Sequence, residues 1–256
     1  MPGGGSGMTL DDEQLRSLAE DAVEHMEPPA GEQRMEDDRL IATFGSAPDP
    51  QMNVVSRLRL GSSDIGAAVD EVRAWYRRLG RDACTWEVTT ASTPGDLHER
   101  LLALGMRPDA EPHMLALACT EKPASDTPGV SVEAVRTDDQ LALASSIFRE
   151  DDGFDPPEDW LRATPRWLAR VDGEVVATAD ITEMDTAVFL GGAVTVPRAR
   201  GRGAYRALVA ARWDEAVRLG KPVLVTQSEP MSQPILTRLG FRVVGEIHVL
   251  VDEFGR

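Results

Sequence analysis

The protein has 256 residues, of which 42% are hydrophobic and 27% are charged, and its formal net charge at pH 7 is -16. This composition predicts one large globular domain or two smaller ones with real cores. Nucleic acids and anionic membranes attract basic surfaces, so we expect neither as a partner. The sequence has no apolar stretch of the roughly 18 residues that a membrane helix needs and no signal-peptide pattern, and we therefore expect a cytoplasmic protein.

The opening segment and the rarer residue types carry few functional signals. Residues 1–8, MPGGGSGM, are predicted to form a flexible leader. The two cysteines, Cys84 and Cys119, are too few for a disulfide framework and are expected to be buried thiols. The four histidines are His25, His98, His113 and His248. They form no cluster with metal-ligand spacing, so the sequence predicts no metal site.

Residues 10–119 are predicted to alternate helices with strands. Helices are expected over residues 10–26, 63–80 and 93–105, and strands over 39–45, 53–61, 83–90 and 113–119. The second helix begins with Ser63 and Asp64, which are residue types that cap helix starts, and it ends at Gly80. Residues 120–129, TEKPASDTPG, combine charge, proline and glycine and predict a linker.

The chain beyond the linker is predicted to contain more strands. Strands are expected over residues 130–135, 187–196, 222–227 and 242–254, a hairpin over 166–182 that turns at Asp172 and Gly173, and helices over 138–148, 204–220 and 233–240. The helix over 204–220 has one apolar stripe, which is formed by Tyr205, Leu208, Val209, Trp213, Ala216 and Val217. The acidic loop REDDGFDPPED, residues 149–159, either receives a cationic amine or is a solvated surface loop.

The two halves of the chain resemble each other residue by residue. The matched positions are residues 104–106 (LGM) with 239–241 (LGF), Glu111 with Glu246, His113 with His248, and 78–80 (RLG) with 218–220 (RLG). Blocks that match in the same order indicate a tandem duplication. We therefore predict an N-terminal domain over residues 9–119, a linker over 120–129 and a C-terminal domain over 130–256.

The stretch RARGRGAYR, residues 198–206, connects a predicted strand to a predicted helix. The first amides of a helix have no internal partner and lie at the positive end of its dipole, so they bind anions. Gly201 and Gly203 let the backbone turn and approach a ligand closely, while the arginines at 198, 200 and 202 add positive charge. The pattern predicts a phosphate or pyrophosphate site.

Two common phosphate-binding motifs do not fit this loop. A P-loop requires GxxxxGK followed by serine or threonine, which is absent, and a dinucleotide fingerprint requires a third glycine where Arg206 stands. The loop instead fits R/Q-x-x-G-x-G/A, follows VTVP at a strand end and precedes a later ILTRLGF. In these motifs the sequence resembles the GNAT superfamily of N-acetyltransferases, well over residues 130–256 and only as an eroded copy over roughly 9–120. The resemblance implies an α/β fold with a mixed sheet and two tandem GNAT-like domains.

The resemblance also implies that acetyl-CoA lies in a cleft where the strand 187–196 separates from its neighbour. The residues that it implies for acetyl-CoA binding are Val194, Thr195, Val196, Arg198, Gly201, Arg202, Gly203, Ala204, Tyr205 and Arg206. Gly191 and Gly192 predict that this strand is bulged or closely approached by another chain segment.

The N-terminal half lacks the features of this loop. By the internal repeat, Leu58 stands where Arg198 does, Ser63 where Gly203 does, and Asp64 where Ala204 does. A carboxylate at this position repels a pyrophosphate. We therefore expect the N-terminal half to bind no acetyl-CoA and to pack against the active half as a companion domain.

The sequence departs from the family at both positions that usually handle protons. Residues 188–196 contain no acid where the family often has a glutamate base, and Leu236 stands where it often has a tyrosine acid. The substitutes that we expect are Glu183, Asp180, Glu229 and Ser232. Catalysis mainly by positioning is the alternative, because acid or base assistance is typically worth only about 100- to 10,000-fold.

The function implied by the resemblance is transfer of an acetyl group from acetyl-CoA to a primary amine of a small molecule or peptide, without a metal, by a monomer or homodimer. Because both usual proton-handling residues are missing, a second interpretation is a non-catalytic module that binds CoA or acyl-CoA as a sensor or scaffold. A third is an acyltransferase for longer acyl chains. His113 and His248, at matched strand positions, are expected to be structural.

Overall fold

The computed structural model describes residues 10–28, 33–45, 49–124 and 127–255, so the predicted leader lies outside the described residues. Its helices are α1 (Asp12–Glu20), α2 (Ile65–Arg78), α3 (Leu97–Ala103), α4 (Asp138–Asp151), α5 (Glu158–Arg162), α6 (Ala204–Arg218) and α7 (Gln233–Arg238). Its strands are β1 (Gln33–Glu36), β2 (Ile41–Phe44), β3 (Val54–Ser56), β4 (Ala83–Thr89), β5 (Arg107–Cys119), β6 (Val130–Ala134), β7 (Arg166–Val171), β8 (Glu174–Glu183), β9 (Val188–Thr195), β10 (Leu224–Ser228) and β11 (Arg242–Glu253).

The strands of the described chain form one sheet, in the order β1-β2-β3-β4-β11-β5-β10-β9-β8-β7-β6. Two neighbouring pairs are parallel, β3 with β4 and β9 with β10. Between them, β4, β11, β5 and β10 pair antiparallel in turn. The predicted α/β fold with a mixed sheet is therefore confirmed.

The two halves of the chain exchange their last strands. By the internal repeat, β5 corresponds to β11 and β4 corresponds to β10. However, β4 pairs with β11 and β10 pairs with β5, so each half receives the last strand of the other. The exchanged strands also pair with each other, and there His113 lies opposite His248. The boundary predicted at residues 120–129 concerns the sequence. In the sheet, β5 and β11 each pair with a strand from the other side of that boundary.

Apolar clusters hold the helices against the sheet. Helices α6 and α7 pack on β7 to β10 through side chains such as Leu208 and Leu236. Helices α2 and α3 pack on β3, β4 and β11 through Val72 and Leu101. Helix α1 contacts β5, β10 and β11 through Leu15. Because these three strands come from both halves, α1 also ties the halves together.

Some predicted boundaries differ from the structure. The helix predicted over 10–26 ends at Glu20, because Asp21 leaves the helix, and a 3-10 turn follows over Ala22–His25. Strand β1 and helix α5 were not predicted, and α5 begins inside the predicted acidic loop. The hairpin turn is confirmed, since Asp172 and Gly173 have φ angles of 52° and 85°, as a type I′ turn requires.

The prediction of the buried stripe on α6 is partly wrong. Leu208, Val209, Trp213 and Ala216 are buried, but Val217 is 51% exposed. Arg212 takes a buried position on the same face, four residues from both Leu208 and Ala216, and is fully inaccessible to solvent. Within the described chain, no helix combines the length and apolar character needed to cross a membrane.

Candidate functional site

The parallel strands β9 and β10 separate soon after they meet. Their register contains two pairs, Val188 with Leu224 and Phe189 with Val225. Beyond these pairs β9 continues to Thr195, while β10 runs on to Ser228. Leu190 O still accepts from Thr226 Oγ1 of β10 at 3.0 Å, but β9 has no register partner in β10 beyond Phe189. This divergence is the opening that an extended ligand arm requires.

A bulge lies in β9 at the point of separation, as the two glycines predicted. In the pairing of β8 with β9, Thr178 lies opposite Val194 and Asp180 opposite Gly191, so β9 contains one extra residue. Gly192 has a φ of 48°. A Cβ atom on Gly191 would lie 2.6 Å from the Asp180 carboxylate, and one on Gly192 would overlap it. The close approach of Asp180 therefore requires glycine at both positions, and the backbone conformation also favours glycine at position 192.

The loop between β9 and α6 has the conformation of an anion site. A 3-10 turn over Pro197–Ala199 is followed by Gly201 and Gly203, with φ angles of 78° and 90°. Helix α6 begins at Ala204 with Gly203 as its N-cap, and no side chain caps its first amides. The first backbone hydrogen bond of the helix joins Ala207 N to Gly203 O, so the earlier amides have no partner within it.

The loop arginines form ion pairs with acids from other segments. Arg198 pairs with Glu150 at 2.8 Å and with Glu174 at 2.9 Å, Arg200 pairs with Asp151 at 2.6 Å, and Arg202 pairs with Asp172. Among the described residues, Arg206 has no carboxylate partner. The paired arginine side chains are about half exposed, and exposed ion pairs contribute little stability. The arginines can therefore exchange these partners for a phosphate.

A buried charge cluster lies under the bulge. Arg166 Nη2 donates to Asp180 Oδ2 at 2.5 Å, and both side chains are almost inaccessible. Arg212 Nη1 donates to the backbone oxygens of Asp180 and Gly191, at 3.2 and 3.4 Å. Burial raises the pKa of Asp180, and the two guanidinium groups oppose that rise. The cluster thus connects α6 to the bulge through one carboxylate and two arginines.

Sequence reasoning named Asp180 but missed both arginines. Arg212 had a detectable signal, because it lies on the buried face of α6 between Leu208 and Ala216. Arg166 had none, since its role depends on its place opposite Asp180 in the pairing of β7 with β8.

Of the other three predicted catalytic residues, Glu183 lies apart from Glu229 and Ser232. Glu183 is exposed, pairs with Lys221 at 2.7 Å and lies opposite Val188, at the closed end of the cleft. Three residues of strand, about 10 Å, separate Val188 from the bulge. Glu229 and Ser232 follow β10 and so lie at its carboxyl end, where β9 and β10 diverge.

A pair of hydroxyl groups occupies this end of the cleft. Ser232 Oγ lies 2.8 Å from Ser228 Oγ, and Ser228 is buried at the last position of β10. Ser228 was missed by the sequence analysis, because its proximity to Ser232 results from the turn between β10 and α7. Leu236, at the position of the usual tyrosine, is buried in the apolar cluster of α6 and α7.

The corresponding cleft of the N-terminal half is filled by its own chain. β3 and β4 also share only two register pairs, Val54 with Thr85 and Val55 with Trp86. Beyond them, Thr93 N donates to Leu58 O at 3.0 Å, and Leu60 N donates to Thr93 O at 3.1 Å. The backbone of residues 58–60, directly beyond the register pairs, is therefore already paired at the opening of this cleft.

The acids of the predicted acidic loop have partners within the protein. Arg149 pairs with Asp155 at 3.0 Å, and Arg162 pairs with Glu158 at 2.6 Å. A cleft of about 400 Å³ opens beside this region, between α4 and the segment that leads to Arg166. The pairing favours the solvated interpretation of the loop over direct recognition of a cationic amine.

One sequence-based expectation about the histidines is wrong. Strand pairing brings His113, His248 and Glu246 together, with ligand atoms within 4.8 Å of one another. The expectation of no metal-ligand cluster failed because it considered spacing along the chain, whereas these residues meet across the exchanged strands β5 and β11.

Comparisons with known proteins agree with this architecture. A GCN5-related N-acetyltransferase from Kribbella flavida has 18% identity and a TM-score of 0.70, with 96% of each chain covered. A tandem GNAT protein from the clavulanic acid biosynthesis pathway has 13% identity and a TM-score of 0.62, covering 100% of this chain and 91% of that one. A functionally unknown conserved protein from Staphylococcus epidermidis has 12% identity and a TM-score of 0.66, covering 88% of this chain and 95% of that one. No curated protein sequence gives a significant match.

The fold is therefore that of GNAT proteins, in the tandem arrangement predicted from the internal repeat. Residues 135–241 match the model of the Acetyltransferase (GNAT) family. Members of the family transfer acyl groups from acyl-CoA. The resemblance inferred from the loop motif is confirmed.

Proposed function

We propose that the C-terminal half transfers an acetyl group from acetyl-CoA to a primary amine by direct attack of the amine on the thioester. The observation that carries this proposal is the separation of β9 from β10 directly before an uncapped helix start. The pyrophosphate of the donor binds the amides at the start of α6. Its pantetheine arm lies along the β9 edge at residues 194–196, where it takes the place of Arg200 Nε, which donates to Thr195 O at 3.3 Å. The side chains of Arg198, Arg202 and Arg206 supply the positive charge.

Attack requires the amine in its neutral form. An alkyl amine with a pKa of about 10.4 is mostly protonated at pH 7, and removing the proton costs roughly 4 to 5 kcal/mol. We assign proton handling to the carboxyl end of β10, where Glu229 accepts the proton and the hydroxyl of Ser232 donates to the leaving thiolate. Asp180 is a positioning residue in this proposal, because Arg166 already engages its carboxylate.

A non-catalytic acyl-CoA sensor is the second candidate. It is favoured by Leu236 at the usual tyrosine position and by the carboxylates that already engage the loop arginines. Both candidates require the same donor site, so binding must be tested before turnover. Release of free thiol in the presence of acetyl-CoA and a panel of amines then separates an enzyme from a sensor.

The binding test compares the wild type with Gly203→Glu, which places a negative charge at the start of α6. A ligand at 100 times its Kd stabilises the native state by about 2.7 kcal/mol, so acetyl-CoA is expected to raise the Tm of the wild type and not that of the variant. Gly220→Glu is the matched control, since Gly220 also has a left-handed φ, of 76°, but lies at the other end of α6. The absence of any shift with wild type at saturating acetyl-CoA contradicts the proposal.

A further inference from the structure

Three imidazoles meet on the seam between the exchanged strands. His113 of β5 lies opposite His248 of β11, and their rings stack with centroids 5.1 Å apart and planes at 20°. His98, near the start of α3, places its ring 5.1 Å from that of His248. Glu246 adds a carboxylate, with Oε2 at 3.5 Å from His113 Nε2. His113 and His248 therefore meet at one carboxylate, and His98 lies beside His248.

The ligand atoms of this group are close to metal-binding geometry. The side-chain ligand atoms of His113, Glu246 and His248 all lie within 4.8 Å of one another. In a tetrahedral zinc site with bonds of about 2.0–2.1 Å, two ligand atoms lie roughly 3.3 Å apart. These three side chains are exposed, so rotations about their own bonds close the remaining gap without moving either strand.

Packing and hydrogen bonding do not account for the cluster. Among the described residues, the rings of His98 and His248 make no side-chain hydrogen bond, and the ion pair of His113 with Glu246 is long and exposed.

We propose that His98, His113, Glu246 and His248 bind one transition-metal dication that prefers imidazole ligands, such as Zn²⁺, Ni²⁺ or Cu²⁺. The site is single because the internal repeat places Gln233 at the position that corresponds to His98. The ion joins β5 to β11, and these strands come from different halves of the chain. Its expected role is to fasten the strand exchange, independently of the acyltransferase activity.

The test uses the full chain after dialysis against a chelator, with Zn²⁺ as the probe. Calorimetry is expected to show one equivalent of Zn²⁺ per chain, and thermal unfolding is expected to show a higher Tm with Zn²⁺. Loss of a residue that only supports a ligand typically costs about 10–100-fold in metal affinity, so loss of a direct ligand in His113→Ala or His248→Ala is expected to cost at least about tenfold. Co²⁺ is expected to give the visible absorption bands of a nitrogen-ligated site in the wild type and not in the His113→Ala/His248→Ala double variant.

His25→Ala is the matched control, because His25 lies away from the seam and its Nε2 contacts Ser17 Oγ at 2.8 Å. Its zinc affinity is expected to equal that of the wild type. The proposal is overturned if the wild type binds no Zn²⁺, or if the His113→Ala/His248→Ala double variant binds it as tightly. The exposed positions of both rings mean that these variants fold, and His248→Gln provides a second variant that keeps a polar side chain.

Discussion

The two parallel strand pairs, β3 with β4 and β9 with β10, begin alike and then diverge in what lies beside them. Each has two register pairs and then opens. Beside β9 the backbone of residues 194–196 has no neighbour from β10, whereas beside β3 the backbone of residues 58–60 pairs with Thr93. The helix start differs too, with a glycine N-cap at Gly203 and an aspartate N-cap at Asp64.

The cleft of the N-terminal half has lost its binding features through both charge and space. The carboxylate of Asp64 opposes an anion at the helix start, and the Thr93 backbone occupies the edge that a pantetheine arm needs. Either change is sufficient on physical grounds, because like charges repel and paired backbone groups cannot bind a ligand. The following predictions test how far this comparison holds.

The largest expected effect concerns the charge cluster under the β9 bulge. Asp180→Ala leaves the buried guanidinium of Arg166 without its partner, and breaking a buried pair typically costs about 3–5 kcal/mol. Chemical denaturation measures this loss in the free energy of unfolding. Asp172→Asn, on the exposed hairpin turn, is the control, because it removes the charge but keeps a residue type that tolerates the left-handed φ of 52°; it is expected to change stability by no more than about 0.5 kcal/mol. Equal effects at the two positions would show that the cluster does not stabilise the bulge.

A smaller effect on stability is expected at Glu87 of β4. By the internal repeat, this position corresponds to Gln227 of β10. Burial, and then the nearby carboxylate of Asp21, raise the pKa of Glu87 from 4.5 to about 7. The pKa of Glu87 is higher in the folded than in the unfolded state. The contribution of protonated Glu87 to stability is therefore complete below pH 4.5 and is lost as the pH rises through about 7.

Glu87→Gln imports the residue of the other half and is expected to remove this pH dependence. As the pH rises from 4.5 to about 7, the free energy of unfolding of the wild type should fall by up to about 3 kcal/mol more than that of the variant. Urea denaturation at several pH values measures the difference. Glu183→Gln changes an exposed glutamate and serves as the control. Parallel pH profiles for wild type and Glu87→Gln would contradict the assignment.

Local features of the fold could be predicted from the sequence, whereas features that depend on strand register could not. Gly201 and Gly203 were recognisable because the turn needs left-handed backbone within a few residues. The pairing of Arg166 with Asp180 was not, since it depends on which residues of β7 and β8 face each other. The ion pairs of the loop arginines likewise join segments that are distant in the sequence.

The strand exchange could not be predicted from the sequence, for a related reason. β5 and β11 have similar sequences, including the matched histidines, so pairing within a half or across halves places the same residue types at the same sheet positions. Hydrophobic patterning sets which face of a strand is buried and does not set which copy it joins. The histidine cluster, which forms only across the exchanged strands, was hidden with it.

The smallest effect on acetyl-CoA binding is expected from removing the negative charge of the N-terminal loop alone. Ser63→Gly/Asp64→Ala gives this loop the residue types of the C-terminal one, but Thr93 still pairs with Leu58 and Leu60. Calorimetry with acetyl-CoA is therefore expected to show one equivalent per chain, as for the wild type. The reciprocal control, Gly203→Ser/Ala204→Asp, carries the N-terminal residues into the C-terminal loop and is expected to lose that equivalent. A second equivalent bound by Ser63→Gly/Asp64→Ala would mean that charge alone closed the N-terminal cleft and that the Thr93 backbone yields to a ligand.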